Sequence, residues 1–486
     1  DPDVIRVEDT YYMVSTTMHF MPGCEILQSF DLVHWEHVTY VYETLDHTDA
    51  QQLKSGQNIY GQGMWAASLR YHEGRFYICF VANDTRKTYL YTSEKIDGPW
   101  KKQLIEGFYH DGSLLFDEDG RNYIVYGNDE IWITELNEDL TAPKKDGLHR
   151  LLVSDHKNPE LGYEGSHIQK INGYYYIFLV HSLRDRWMRT EACFYSDSLE
   201  GEFTGGDVLC DDRGYCGQGV AQGGIVDTPD GKWYAMLFQD SGAVGRIPIL
   251  LPVTWKDHFP FFGQNGHVPE EIEVHSTRPG YIYQPLVGSD DFCNGLLPRW
   301  QFNHDPDPRY YHLDALQGTY TITTREVCTE LTQAVNTLTQ RMSYPSCAAE
   351  VTVDASALKE GDVAGLCALQ GCYAAVGITK HHGKYEVLML DKKEDGILDM
   401  TEGTVVESHQ MDFRLEADFC NMKDEARCYY RVNKGDWLPI GTVHKLYFKL
   451  DHFTGCRFGL FCYAAEETGG SACFRDFKYY DVDEIS

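Results

Sequence analysis

Short runs in which apolar and polar residues alternate, broken by polar turns, set the pattern of this chain. The tyrosines expose a repeat within it. A turn is followed by an aromatic pair or a single Tyr and then by an apolar strand. The unit reads Glu8-Asp9-Thr10-Tyr11-Tyr12, then Glu73-Gly74-Arg75-Phe76-Tyr77, then Asp119-Gly120-Arg121-Asn122-Tyr123. It returns as Asn172-Gly173-Tyr174-Tyr175 and as Asp230-Gly231-Lys232-Trp233-Tyr234. The anchoring tyrosines 12, 77, 123, 175 and 234 stand 65, 46, 52 and 59 residues apart. Asp-Gly and Asn-Gly before β-forming residues predict hairpin turns, because the central residues of a tight turn need positive φ. A second echo follows several hairpins: Ser29-Phe30-Asp31-Leu32 to Trp35, Ser93 to Trp100, and Ser196-Asp197-Ser198-Leu199 to Phe203. Five all-β units of about 50 residues predict the blades of a five-bladed propeller.

The repeat stops near Pro252-Val253-Thr254-Trp255, and a stretch rich in Pro, Gly and acidic residues follows from Phe259 to Asp291. Alternation then resumes at a different spacing, in Thr319–Thr323, Ala349–Val353, Tyr385–Leu390, Cys428–Val432 and Cys456–Tyr463. Short strands without helical periodicity predict a β-sandwich. The chain is therefore expected to be all-β, with a propeller over residues 1–285 and a sandwich over 286–486.

Composition narrows the partners. The 486 residues carry 74 Asp and Glu against 42 Lys and Arg, a formal net charge of −32. Such a surface repels phosphate backbones and anionic membranes, so neither nucleic acid nor a membrane is an expected partner. The longest apolar runs, Tyr174–Val180 and Ile247–Val253, are strand-sized and far short of a membrane helix. Fifteen cysteines are scattered without a CxxC pair or zinc spacing, ten of them in the second half. They read as small buried hydrophobes in a reducing compartment, which points to a cytoplasmic location. The chain opens at Asp1 inside a motif, so residues upstream of it are expected.

Propeller inner strands converge on an axis, so catalytic groups should come from different blades at one register. Three carboxylates fit. Asp1 lies 11 residues before Tyr12, Asp111 lies 12 before Tyr123, and Glu164 lies 11 before Tyr175. At the same register the second blade offers Trp65 and the fifth Gln222. Any one acid ahead of a strand is usually a turn cap; three in register are not easily so explained. Three carboxylates, a stacking surface and an amide in one cup suit a sugar. One carboxyl group can protonate a leaving oxygen while another activates water, and the third can orient the acid and hold its pKa up.

With Asp1-Pro2-Asp3-Val4-Ile5-Arg6-Val7, Trp65-Ala66, His110-Asp111-Gly112-Ser113-Leu114 and Glu164-Gly165-Ser166-His167, the sequence resembles family 43 glycoside hydrolases. The likeness spans both halves, as in the two-domain branch of β-xylosidases and α-L-arabinofuranosidases. It implies Asp1 as general base, Asp111 as pKa modulator and orienter, Glu164 as general acid, and Arg246 as a contact to a sugar hydroxyl. It also implies inversion at the anomeric carbon and a base-to-acid gap of about 6.5–9.5 Å. Relatives often carry an axial His that binds calcium or water. Here Gln222 stands in that place, so a structural calcium in the channel is left open, and the chemistry requires no cofactor.

His19 and Phe20, after the first inner strand, are expected at the substrate pocket. His167 reads as a core histidine, and Arg457 and Phe458 as core or as residues reaching the pocket mouth. The function expected is exo-acting, inverting release of terminal α-L-arabinofuranosyl or β-D-xylosyl groups from xylan or arabinoxylan oligosaccharides, with homo-oligomerisation open. The competing readings are a propeller phosphorylase or other glycosidase, and a non-catalytic carbohydrate-binding protein. No Gly-x-Ser-x-Gly elbow suggests a serine hydrolase.

Overall fold

The computed structural model describes residues 1–481. Five four-stranded antiparallel sheets follow one another along the chain. Blade 1 comprises Asp3–Val7, Thr10–Val14, Gly23–Ser29 and Glu36–Tyr42, and blade 2 runs from Ser68–His72 to Lys101–Ile105. Blade 3 runs from Ser113–Phe116 to His149–Ser154, blade 4 from Glu164–Ile171 to Thr204–Leu209, and blade 5 from Ala221–Asp227 to Phe259–Phe262. The helical pieces among the described residues are single 3-10 turns, and no helix is long and apolar enough to cross a membrane.

Each repeated hairpin is the link between a blade's first and second strands. Glu73-Gly74 and Asn172-Gly173 both have positive φ at the two turn positions, as a two-residue turn of this hand requires. In Asp119-Gly120 and Asp230-Gly231 only the glycine does. There the turns are wider, closed by Gly120 N–H to Asp117 O and by Gly231 N–H to Thr228 O. The aromatic residues act as wedges between blades. Tyr12 meets Phe76 edge-on at 5.9 Å, Tyr77 meets Phe116 at 4.6 Å, and the Tyr175 hydroxyl donates to Asp117 of blade 3 at 2.5 Å.

Side chains also tie the first strands together below the acids. Arg70 donates to Asp3 Oδ2 of blade 1 at 2.8 Å, to Leu114 O and Ser113 Oγ of blade 3 at 2.9 and 2.7 Å, and to Ile168 O of blade 4 at 3.3 Å. Asp3 is buried and also accepts the Leu69 N–H at 2.7 Å, while its Oδ1 lies 3.2 Å from Nδ1 of His167. Burial pushes the Asp3 carboxyl up, but Arg70 and His167 outweigh it and hold its pKa below the ordinary value. The ring closes where Gln169 donates to Ile225 O at 2.8 Å and Arg6 pairs with Asp227.

After Phe262 the chain straps back over blade 1. Thr277 N–H donates to Phe30 O at 2.8 Å, and Tyr281 and Tyr283 pack on Phe30. The sandwich that follows has a seven-stranded and a nine-stranded sheet around a core that includes Phe302, Val351, Leu366, Phe413 and Phe458. The nine-stranded sheet borrows a strand from the propeller. Phe20–Met21, between the second and third main strands of blade 1, pairs antiparallel with Gln301–Asn303. All fifteen cysteines are free thiols, and Cys24, Cys193, Cys367 and Cys462 are among those buried in the cores.

Replacing Arg70 by Met would leave Asp3 buried without its cation. The expected loss is about 3–5 kcal/mol of stability, the usual cost of breaking a buried pair from one side. Chemical denaturation of the variant beside the wild type measures it.

Candidate active site

The entry points of the first strands bring the predicted groups together. Asp1 precedes the first strand of blade 1, Trp65 that of blade 2, Asp111 that of blade 3, and Glu164 opens that of blade 4. A small hollow where the blades meet is ringed by Asp1, Ser68, Asp111, Ser166 and His167. Asp111 sits at φ 47°, a left-handed turn that swings its carboxylate inward rather than along the strand. Its Oδ2 accepts the Gly165 N–H at 3.0 Å, locking it to the residue that follows Glu164.

Each carboxylate has its own environment. Asp1 accepts from the Thr16 hydroxyl and pairs with Nη1 of Arg246. Arg246 also donates through Nε to Asp240 at 3.2 Å, and Asp240 in turn pairs with Arg189. The guanidinium carbon of Arg246 lies 4.4 Å from the ring centres of Phe238 and of Phe453, so it is held flat between two aromatic faces. Burial, reinforced by the charge of Glu164, raises the Asp111 pKa above the ordinary aspartate value, against the pull of His110. For Glu164 burial pushes the other way from the result. His110, with Arg189 and Arg246, outweighs it and holds the carboxyl below its usual value. Asn128 donates to Glu164 Oε2 at 2.9 Å. The two carboxyls are therefore pushed in opposite directions, Asp111 upward and Glu164 downward, whereas crowding alone is expected to hold the acid's pKa up.

Trp65 forms one wall, meeting Phe453 edge-on at 5.4 Å. Phe453 belongs to the sandwich, and sequence reasoning missed it, because it sits in an irregular loop with no periodic signal. Its loop reaches the propeller through two glycines. A Cβ on Gly245 would lie 2.6 Å from Gly455 N, and one on Gly455 would lie 2.1 Å from Val244 O. Both have φ near 100°, so no other residue suits either position. Cys456 N–H donates to Ala243 O at 2.8 Å and fixes the approach.

His19 and Phe20 do not reach the cup. His19 is fully buried in the seam between the domains, 4.3–5.4 Å from the rings of Phe20, Tyr60, His304 and His452. Phe20 lies in the strand lent to the sandwich, under the guanidinium of Arg457 at 3.7 Å. The excursion after the first hairpin runs outward to the sandwich instead of folding over the sugar site, and this displaces both residues. Arg457 and Phe458 are likewise buried in the sandwich sheet, away from the mouth. His167 is the core histidine expected, bonded to Asp3.

Gln222 is buried with φ 61°, its backbone N–H donating to Glu191 at 2.6 Å. Its side chain lies over Gly165, where a Cβ would come within 2.6 Å of it. Calcium takes six to eight oxygens. In the channel, Asp3 is engaged by Arg70 and His167, and the Arg70 guanidinium brings a positive charge to the axis. A cavity of about 540 Å³ is lined by Asp1, Arg246 and Phe453 together with apolar residues such as Leu27, Trp35 and Met236. Asp111 and Glu164 do not line it, so it adjoins the acids' site on the side of Asp1 and Arg246.

Comparison with known proteins matches residues 1–260 to the model for glycosyl hydrolases family 43. The chain belongs to glycosyl hydrolase family 43. Residues 289–480 of this family 43 chain match the beta xylosidase C-terminal concanavalin A-like domain. It is 26% identical to a beta-xylosidase of Formosa agariphila over 99% of this chain and 87% of that protein. It is 25% identical to a non-reducing end alpha-L-arabinofuranosidase of Bacteroides ovatus, over 65% of this chain and 62% of the relative. Among solved structures, a bifunctional GH43-CE protein of Bacteroides eggerthii is 42% identical, with a TM-score of 0.91. That alignment covers all of this chain and 62% of the other. The family 43 chain is a glycoside hydrolase, and its cup is built from a propeller and a sandwich together.

Arg246 is the group on which Asp1 and Asp240 both depend. Arg246→Leu should lower kcat/KM on an aryl pentoside by about 10²-fold or more, the scale seen when a preorganised charged donor is removed. Arg246→Lys should recover only part of this, since an ammonium cannot fork between two carboxylates while stacked on two rings. The order wild type, Lys, Leu in steady-state assays, with unchanged circular dichroism, is the expected result.

Proposed function

We propose that this chain is an exo-acting, inverting hydrolase that releases terminal α-L-arabinofuranosyl or β-D-xylosyl groups from xylan-type oligosaccharides. In this reading Asp1 is the general base, Glu164 the general acid, and Asp111 the group that orients the acid and shares its proton. Arg246 contacts a sugar hydroxyl near the base, and Trp65 stacks on the sugar's C–H face. The observation that carries the reading is the placing of Phe453. An open propeller face would offer a groove to a chain passing through. Here the sandwich sets an aromatic ring across from Trp65 and over Arg246, which leaves a pocket suited to a chain end or a side branch. The names of the relatives, beta-xylosidase and alpha-L-arabinofuranosidase, support both pentoses.

The chemistry needs no more than these groups. Asp1 takes a proton from a water as that water attacks the anomeric carbon. Glu164 gives its proton to the departing oxygen, and the configuration inverts because attack and departure occur on opposite faces. A phosphorylase reading would need a cluster of free cations beside the acid. Arg246 is engaged by Asp1 and Asp240, and Arg189 by Asp240, which disfavours that alternative.

Glu164→Gln and Asp1→Asn should each abolish nearly all hydrolysis of nitrophenyl arabinofuranoside and nitrophenyl xyloside. Proton NMR of the first-formed sugar should show the inverted anomer. Wild-type rates in either variant, or retention of configuration, would overturn the assignment.

A further inference from the structure

His110 stands next to Asp111 in the chain and takes no part in the mechanism as given. Its surroundings are unusual. Nε2 lies 3.5 Å from Asp111 Oδ2 and 3.5 Å from Glu164 Oε2, one carboxylate from its own turn and one from the neighbouring blade. The atom is shielded from solvent and makes no close hydrogen bond to any other group. The His110 backbone is fixed, since its carbonyl accepts the Gly127 N–H at 3.0 Å, and the ring of Trp65 stands 6.2 Å from the imidazole. We propose that His110 is a positioning residue of the acid pair. Its Nε2–H points between Asp111 and Glu164, and as a histidinium it sets the pH at which the pair gives up its shared proton.

The electrostatics agree with the geometry. The charge of Asp111, helped by Glu164 and opposed by burial and by Arg86, pushes the His110 pKa up to about 9. His110 is therefore a cation at neutral pH, and it is a leading cause of the low pKa of Glu164. The charged groups facing this cluster are Asp111 on its own turn, Glu164 on blade 4 and Arg86 on blade 2, with Arg189 and Arg246 beyond Glu164. Because interaction between titrating groups is mutual, each carboxylate that raises the pKa of His110 is itself made more acidic by it. His110, Asp111 and Glu164 also bring one donor atom each within 4.8 Å of one another. With two carboxylates flanking an imidazole nitrogen at equal distance, the arrangement is one of proton sharing.

This inference rests on Glu164 being the acid, and the test separates the two. In His110→Gln the neighbouring cation is gone, so the pair holds its proton to higher pH. The alkaline limb of kcat/KM on nitrophenyl xyloside or arabinofuranoside should move up by about 1–3 pH units, the range for loss of an opposite charge at this distance. A purely structural histidine would lower the rate without moving the limb. In the wild-type protein, NMR titration of the His110 imidazole should give a value near 9, falling most in Asp111→Asn and less in Glu164→Gln. This second measurement decides the matter even where His110→Gln fails to fold. A limb coincident with wild type, or a His110 titrating near 6.5, overturns the inference. An active Glu164→Gln would instead overturn the assignment of the acid.

Discussion

The constraint on which this structure turns is electrostatic crowding at the propeller axis. Asp1, Asp3, Asp111, Glu164 and Asp240 meet within the inner strands, where water is scarce and an unpaired carboxylate is costly. Cations from the blades are interleaved with them. Arg246 lies between Asp1 and Asp240, Arg189 holds the far side of Asp240, Arg70 takes Asp3, and His110 stands between Asp111 and Glu164. The lower tier, Asp3 with Arg70 and His167, binds the blades together. The upper tier is left with its protons and charges unevenly placed, and that unevenness is what acid–base chemistry requires.

The second domain completes the site instead of merely adjoining it. Blade 1 lends Phe20–Met21 to the sandwich sheet, and two facing glycines let the sandwich loop press against blade 5. Through that contact Phe453 stacks on Arg246 and meets Trp65. Behind it His19, His304 and His452 are buried together, and burial holds the pKa of His19 well below its ordinary value. The seam is thus a packed interior, and the shape of the cup is a property of both domains at once.

Much of the site was legible because a propeller writes its symmetry into the chain. Counting back from the hairpin tyrosines found Asp1, Asp111 and Glu164, since the blades repeat nearly the same number of residues between axis and turn. The same count found Trp65 and Gln222. It did not bear on His19 and Phe20, expected at the pocket from the family resemblance, because their segment leaves the blade and symmetry says nothing about an excursion. Phe453 carries no pattern, because its loop is irregular and its place is fixed by close approach at Gly245 and Gly455. His110 was visible beside Asp111, but its meaning depends on Glu164, 54 residues further along the chain.

The sequence by itself determined the all-β class, the five blades and the register of the acids. These are set by local rules: alternation of side chains, turn residues that accept positive φ, and aromatic wedges at fixed distances from them. Tertiary structure alone decided which carboxyl is raised in pKa and which is lowered, which cations face which acids, and that the sandwich sets Phe453 against Trp65 and Arg246. Those outcomes depend on distances of 3–5 Å between residues far apart in the chain, and on how much water each site excludes. Neither quantity has a counterpart in the order of residues.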